Sequence, residues 1–329
     1  MYEGLGIPLP MTAGAIVSGA FFGDKLSPMS DSTNLTPSVL GVNLYAHIRH
    51  MLYTTLPALG ISLLAFTLIG FWAATNNQGS NDISLYKEFI QENFNLSIWL
   101  FIPPLVVIFL IIRKIPAIPS LLAGLILGSV AFIVIQGGSF TALFESIHHG
   151  FQMSTGKDEM DALFTRGGMA SMYEVVALAL VSLTLGGIMN KTGMLHSMVL
   201  ALRRFTDTAG NLTATVLGTS FLVNVFGANQ YLAVILPGQM YEECYRNQKL
   251  KLKNLTRTLE AGGTLTSPLI PWNSSGVFVY TTIGVSVFSY APYAILCWLT
   301  PIIALLFGYL KIAMHKLEPG ENAESEDAQ

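Results

Sequence analysis

Three short polar stretches hold most of the ligand-type oxygen atoms that this apolar chain places inside its hydrophobic runs. The first, GDKLSPMSDSTN (Gly23 to Asn34), follows the apolar run MTAGAIVSGAFF without a break and carries Asp24, Lys25, Ser27, Asp31, Ser32 and Thr33. The second, TSPLIPWNSSG, carries Ser267, Asn273 and Ser274; the third, NVFGANQ, carries Asn224 and Asn229. Carboxylates, hydroxyls, amide oxygens and the carbonyls freed by a helix break are hard donors, which suit hard cations. A carboxylate with reduced hydration holds a proton more firmly, and a bound cation releases it. Asp24 and Asp31 are therefore candidates for a site where Na⁺ and H⁺ compete.

Each residue also has a plainer reading. Lys25 can pair with Asp24 or Asp31 as a structural bridge. Asp24 can be a solvated vestibule charge, and Asp31 can cap a helix or close an Asx-turn. Asn224 and Asn229 can hydrogen-bond across helices as glue. Glu260 follows a basic cluster, where a carboxylate suits a helix N-terminus; the sharper reading makes it a proton relay. His47 and His50 beside Arg49 read as a basic flank, and His148-His149 as a solvated pair.

The elements that position these residues follow from composition. The 329 residues are 52% hydrophobic and only 11% charged, with a mean hydropathy of +0.54. A soluble domain carries about 25% charge, so the chain reads as an all-α polytopic membrane protein. A net charge of −3 argues against a nucleic-acid surface. The two cysteines show no metal-ligand spacing, and no cofactor is expected beyond the transported ions. No nucleophile–base constellation, GxSxG or P-loop is present, so the chain is not read as an enzyme.

A helix needs about 20 apolar residues to cross a bilayer. Residues 52–74, 97–112, 118–136, 172–190 and 290–310 meet that need. Residues 5–23, 212–240 and 259–286 are apolar but interrupted by the three polar stretches. Lys and Arg cluster at Arg49, Arg113-Lys114, Lys191 with Arg203-Arg204, Arg246 to Arg257, and Lys311 with Lys316. All of these fall on one side, the cytoplasmic one, if residues 212–240 form a re-entrant hairpin with NVFGANQ at its tip. Residues 1–315 then form the membrane domain, incomplete at its N-terminus, and 316–329 an acidic cytoplasmic tail that reads as disordered.

The first and second stretches share a pattern: Gly, then Ser-Pro (Ser27-Pro28; Ser267-Pro268), then Asp31-Ser32-Thr33 or Asn273-Ser274-Ser275. The charge assignment runs them in opposite directions through the bilayer, the mark of an inverted repeat. Unwound backbone is tolerated at that depth only inside protein or beside a watery cavity.

The stretches GAFFGDKLSPMSDSTNL, HIRHMLYTTLPA, NQYLAVILPGQMY and KNLTRTLEAGGTLTSPLIPWNSSG resemble the NhaC family of Na⁺/H⁺ antiporters, which includes malate–lactate exchangers. The resemblance implies an inverted-repeat transporter with broken helices and a longer N-terminus, carrying an inverted partner of the hairpin.

Together these readings predict a secondary Na⁺/H⁺ antiporter working by alternating access in the cytoplasmic membrane, C-terminus inside. Asp24, Ser27, Asp31, Ser32, Thr33, Asn224, Asn229, Ser267, Asn273 and Ser274 would bind the ion. Asp24, Asp31 and Glu260 would couple protons. The expected partners are Na⁺, H⁺, membrane lipids and a second copy in a homodimer. The alternatives are a Na⁺-coupled exchanger of a small organic anion and a truncated, non-transporting membrane remnant.

Overall fold

The computed structural model describes residues 7–28, 30–76, 82–113, 115, 117–152, 161, 165, 167–203 and 206–317. The tail beyond Leu317, together with Lys114 and Arg204 of the basic links, lies outside them. The described residues are helical, with no strand among them; Leu250 and Lys316 form an isolated antiparallel bridge. The chain divides into two compact units, one formed mainly by residues 78–174 and the other by residues 6–77 and 175–329.

In the larger unit, α1 (Leu9–Leu26) and α2 (Asp31–Val39) are the halves of the first broken helix. The break lies where the sequence places it. Ser27 precedes Pro28 and is extended, φ −80° and ψ 123°, because a proline ring disfavours helical geometry in the residue before it. Helix α3 (Leu44–Asn76) follows; its stretch Leu44–Phe71 is apolar enough to span a membrane.

The smaller unit holds α4 (Asp82–Asn93), α5 (Ile102–Ile112), α6 (Ala117–Val134) and α7 (Phe140–His149). Helices α5 and α6 pack on each other. Asn95 and Gln136 close the base of that pair, with Asn95 N donating to Gln136 Oε1 at 3.0 Å and Gln136 Nε2 to Asn95 O at 3.1 Å. The predicted span 97–112 is one arm of a bent pair, Ile98–Ile112, which Lys87–Asn93 meets at 103°.

The larger unit resumes with α8 (Tyr173–Lys191) and α9 (Met194–Arg203). The hairpin is α10 (Ala209–Gly227) and α11 (Gln230–Asn247), packed against each other. It is longer than the 212–240 expected. Its 19- and 18-residue legs each reach about 27–29 Å at 1.5 Å per residue. Two residues make the tip: Ala228 in left-handed geometry (φ 50°) and Asn229, which caps α11 by accepting from Tyr231 N and Leu232 N.

The second broken helix is α12 (Leu252–Leu259), a π turn (Glu260–Thr264), a 3₁₀ turn (Ser267–Leu269) and α13 (Ser274–Ile283). The Ser-Pro pairs of the two copies are not equivalent. Pro268 sits inside the 3₁₀ turn, where its missing N–H costs nothing. The break falls at Ile270, extended before Pro271. The last apolar span is also bent: α14 (Val287–Tyr290) and its 3₁₀ extension meet α15 (Ile295–Leu310) at 57°.

Packing in the larger unit reverses the pattern of a water-soluble protein. Leu64 and Phe71 on α3 are 64% and 69% exposed, while Lys25, Glu260, Asn224, Asn273 and Arg257 are buried. In lipid the exterior must be apolar, and backbone and polar groups must be satisfied internally.

Candidate functional site

Both helix breaks and the hairpin tip line one cavity of about 690 Å³. Asp24 and Asp31 reach it from the first broken helix, Asn229, Gln230 and Tyr231 from the tip of the hairpin, and Ser274 and Ser275 from the second break. Apolar side chains such as Val17, Phe21, Leu183 and Phe278 complete its wall.

The first break is closed by its own side chains. Thr33 Oγ1 donates to the carbonyls of Asp24 (3.0 Å) and Lys25 (3.1 Å) in the last turn of α1, the first of which also accepts the Ser27 N–H. Ser30 caps α2 through Thr33 N, and Ser32 Oγ donates to Asp24 Oδ2 at 3.1 Å. Asp31 is the first residue of α2, not its cap; its Oδ1 accepts from Ser32 N at 3.0 Å. Its other oxygen accepts the Tyr231 hydroxyl of the hairpin.

The second break is held against the hairpin by amides. Asn224 Nδ2 donates to Gly263 O (2.5 Å) and Thr266 Oγ1 (3.0 Å). Asn273 Nδ2 donates to Asn224 Oδ1 (3.0 Å) and O (3.2 Å), while Asn273 Oδ1 caps α13 by accepting from Ser275 N. Ser274 N donates to Ala228 O at 3.1 Å. The hydroxyls of Ser267 and Ser275 lie 3.1 Å from Gln230 Oε1 and 3.0 Å from each other. Two glycines allow the close approach. A Cβ on Gly262 would meet Leu217 Cα at 3.1 Å, and one on Gly263 would meet Val234 Cγ2 at 2.8 Å.

Of the residues expected to bind the ion, Asp24, Asp31, Asn229 and Ser274 line the cavity. Ser32 sits behind Asp24. Thr33, Asn224, Ser267 and Asn273 are buried, with their polar atoms spent on the contacts above, and Ser27 ends α1 outside the cavity lining. Gln230, Tyr231 and Ser275 were missed. Ser275 directly follows Asn273-Ser274, and Gln230 closes NVFGANQ, so the spacing held that signal; nothing local marks Tyr231.

Glu260 is fully buried in the π turn, where it accepts the Thr36 hydroxyl of α2. Lys25 is fully buried and bridges to neither Asp24 nor Asp31; its Nζ has no hydrogen-bond partner. His47 is not a solvated flank: its Nδ1 lies 2.8 Å from Thr256 Oγ1 in the core. Among the described residues no cluster of His, Cys, Asp and Glu has a metal-binding arrangement.

The arrangement gathers two carboxylates, amide oxygens and hydroxyls from three helix interruptions beside an opening lined with apolar side chains. The comparisons with known proteins point the same way. A family profile described as the Na⁺/H⁺ antiporter family matches residues 19–312. The Na(+)/H(+) antiporter NhaC of Alkalihalophilus pseudofirmus is 41% identical over 95% of this chain and 67% of its own length. The Malate-2H(+)/Na(+)-lactate antiporter of Bacillus subtilis is 38% identical over 93% of this chain and 66% of its own. The arginine/ornithine antiporter ArcD of Halobacterium salinarum is 34% identical over 98% and 67%. The chain thus spans about two thirds of the length of these relatives. No solved structure matches it. On the profile and on these identities, the chain belongs to the NhaC-type Na⁺/H⁺ antiporter family.

Proposed function

We propose that the protein exchanges Na⁺ for H⁺ by alternating access in the cytoplasmic membrane, with its C-terminus inside. One observation carries the reading. Asp24 and Asp31 flank a helix break and face the same cavity as Asn229 and Gln230 of the hairpin tip and Ser274 of the second break. Oxygen donors at broken helices are where secondary transporters hold coupling ions. Na⁺ would lie between the two carboxylates, with neutral oxygens from the hairpin tip and second break completing its shell. Its binding releases a proton, because a cation beside a carboxylate favours the ionised form. Glu260 lies behind the site as the buried carboxylate of the proton pathway.

The test is exchange in proteoliposomes. Asp31→Asn should cut Na⁺-driven proton movement at least tenfold and remove Na⁺-induced thermal stabilisation. A wild-type rate in that variant would overturn the assignment.

A second reading is Na⁺-coupled exchange of a small organic anion. The cavity is larger than a lone ion needs, and the N-termini of α11 and α13 both open on it through Gln230 and Ser274. Helix N-termini attract carboxylates, and one relative is named as a malate–lactate exchanger. A melting shift that required Na⁺ and an organic acid together would favour this reading.

A further inference from the structure

One threonine stands between the two broken helices. Thr36 of α2 is fully buried, and its Oγ1 lies 3.0 Å from the carbonyl oxygen of Ser32, one turn back. The same Oγ1 is within hydrogen-bond distance of Glu260 Oε1, which comes from the π turn 224 positions away. Glu260 is fully buried as well, and its Oε2 has no hydrogen-bond partner. π turns are often found at functional sites.

The two contacts cannot both be donated by Thr36. A hydroxyl carries one proton, so it donates once, although it can also accept. The Ser32 carbonyl can only accept. Both contacts are therefore made together only when Glu260 is protonated. Its O–H then donates to Thr36, and Thr36 donates to Ser32 O. An ionised Glu260 needs the Thr36 proton for itself, and Ser32 O gives up that donor.

Ser32 carries the change to the first break. Its Oγ donates to Asp24 Oδ2 at 3.1 Å, and its N–H donates to Asp31 Oδ1 at 3.0 Å. The helix that holds it is easily deformed. Helix α2 has nine residues, and Pro37 within it supplies no N–H to the turn before. A threonine bonded back to the carbonyl one turn earlier bends a helix, so its release alters the turn that bears Asp31 and Ser32.

Two charged groups of α1, Lys25 and Asp24, act on Glu260. The helices packed on the π turn are α2, α10, α11, α12 and α15. Helix α10 has no titratable side chain. Helix α2 brings the exposed Asp31, α11 the buried Tyr241 and Tyr245, α12 the buried Arg257 and half-buried Lys253, and α15 the buried Cys297. Glu242 and Arg246 of α11 pair with each other.

We propose that Thr36 is the positioning residue that couples the charge on Glu260 to the cation site at Asp24 and Asp31. This coupling rests on the antiport reading, with Glu260 as its buried carboxylate, and adds the side chain through which Glu260 reaches the cation. Glu260 breaks its O–H bond and gives the proton to water. Thr36 keeps its own proton throughout and changes only its partner, from Ser32 O to the new carboxylate. The turn at Asp31 then takes the shape that holds Na⁺. Coupling between two sites is reciprocal, so bound Na⁺ favours the ionised Glu260 by the same amount.

The experiment uses the full chain in detergent. The Na⁺ concentration at the midpoint of thermal stabilisation is read across a pH series. In the wild type that midpoint should rise on acidification. Thr36→Val keeps the shape and removes the hydroxyl; its rise should be smaller by about threefold or more. Thr36→Ser, which restores a hydroxyl, should recover the wild-type rise. In a Glu260→Gln background, Thr36→Val should move the midpoint by less than about twofold, because no charge is left to relay. A wild-type rise in Thr36→Val, or an equal effect of Thr36→Val with and without Glu260→Gln, overturns the proposal and leaves the antiport reading standing. Wild-type protein that neither binds Na⁺ nor exchanges it for protons sinks that reading itself. If Thr36→Val does not fold, infrared difference spectra decide. Na⁺ should remove a protonated-carboxyl band in the wild type and in Thr36→Ser, and the band should be missing from Glu260→Gln. The absence of such a band from the wild type overturns the proposal.

Discussion

Asn273 donates to Asn224 twice, to the side-chain oxygen at 3.0 Å and to the backbone carbonyl at 3.2 Å, and so ties the second helix break to the hairpin. Both residues are fully buried, and Asn224 spends its own amide N–H groups on Gly263 and Thr266 of the π region. The contact thereby links the break, the hairpin and the π region. The cavity side of Ser274 and Ser275 depends on it, because Asn273 also caps the helix that carries them.

Removing either amide should therefore destabilise and misplace the same unit. Asn224→Ala and Asn273→Ala should each cost about 1–3 kcal/mol, the penalty for leaving buried partners unsatisfied. The double variant should cost little more than the worse single one, since the two act through one contact. Thermal unfolding in detergent checks this; full additivity would show two independent roles.

Tyr231→Phe removes the hydroxyl that donates to Asp31. A hydrogen bond to a charged group contributes about 1.5–3 kcal/mol. The expected result is about a tenfold rise in the Na⁺ concentration for half-maximal exchange, with the maximal rate kept. Na⁺ titration of exchange at fixed pH reads the two separately.

Gly276 sits where the second break turns into α13, and a Cβ there would lie 2.1 Å from the backbone oxygen of Ile270. That atom cannot swing aside as a side chain can. Gly276→Ala should cost about 2–3 kcal/mol by overpacking and lower exchange by moving Ser274 and Ser275. An unchanged melting temperature would show that the break yields freely.

The segment after α15 is strapped to the start of α12. Lys251 N and Asn254 Nδ2 donate to His315 O, His315 N donates to Asn254 Oδ1, and Arg257 Nη1 donates to Ala313 O. Partial burial lowers the pKa of His315 below its ordinary value of 6.5, and Lys253, Arg257 and Lys251 add to the shift. A histidine that is harder to protonate when folded binds more protons once released. The strap's stability is therefore whole above about pH 6.5 and falls as pH drops from there toward the lowered folded value. Protection factors of the Lys251 and Leu317 amides, corrected for the intrinsic exchange rate at each pH, should fall on going from pH 8 to pH 5.5 and do so less in His315→Gln. An equal fall in both would place the sensitivity elsewhere.

Local sequence determined the broken helices. Ser27 before Pro28 and Ile270 before Pro271 are extended because a proline ring clashes with helical geometry one residue back, and that effect needs no distant contact. The hairpin was legible through Gly227 and Asn229, a helix ender and a helix cap two residues apart. A charge content of 11% required an apolar exterior and forced polar groups inward.

Which polar groups face the cavity was decided only by tertiary structure. Asp24 and Lys25 are neighbours in sequence, yet one lines the cavity and the other is sealed in the core, because helix rotation separates them and packing chooses which side is wet. Asn224 had the right atom types for a ligand, but its partners come from residues 39 to 49 positions away. Tyr231 meets Asp31 across 200 residues. Hydrogen-bond partnership is a property of positions in space, and a linear pattern of side chains does not contain it.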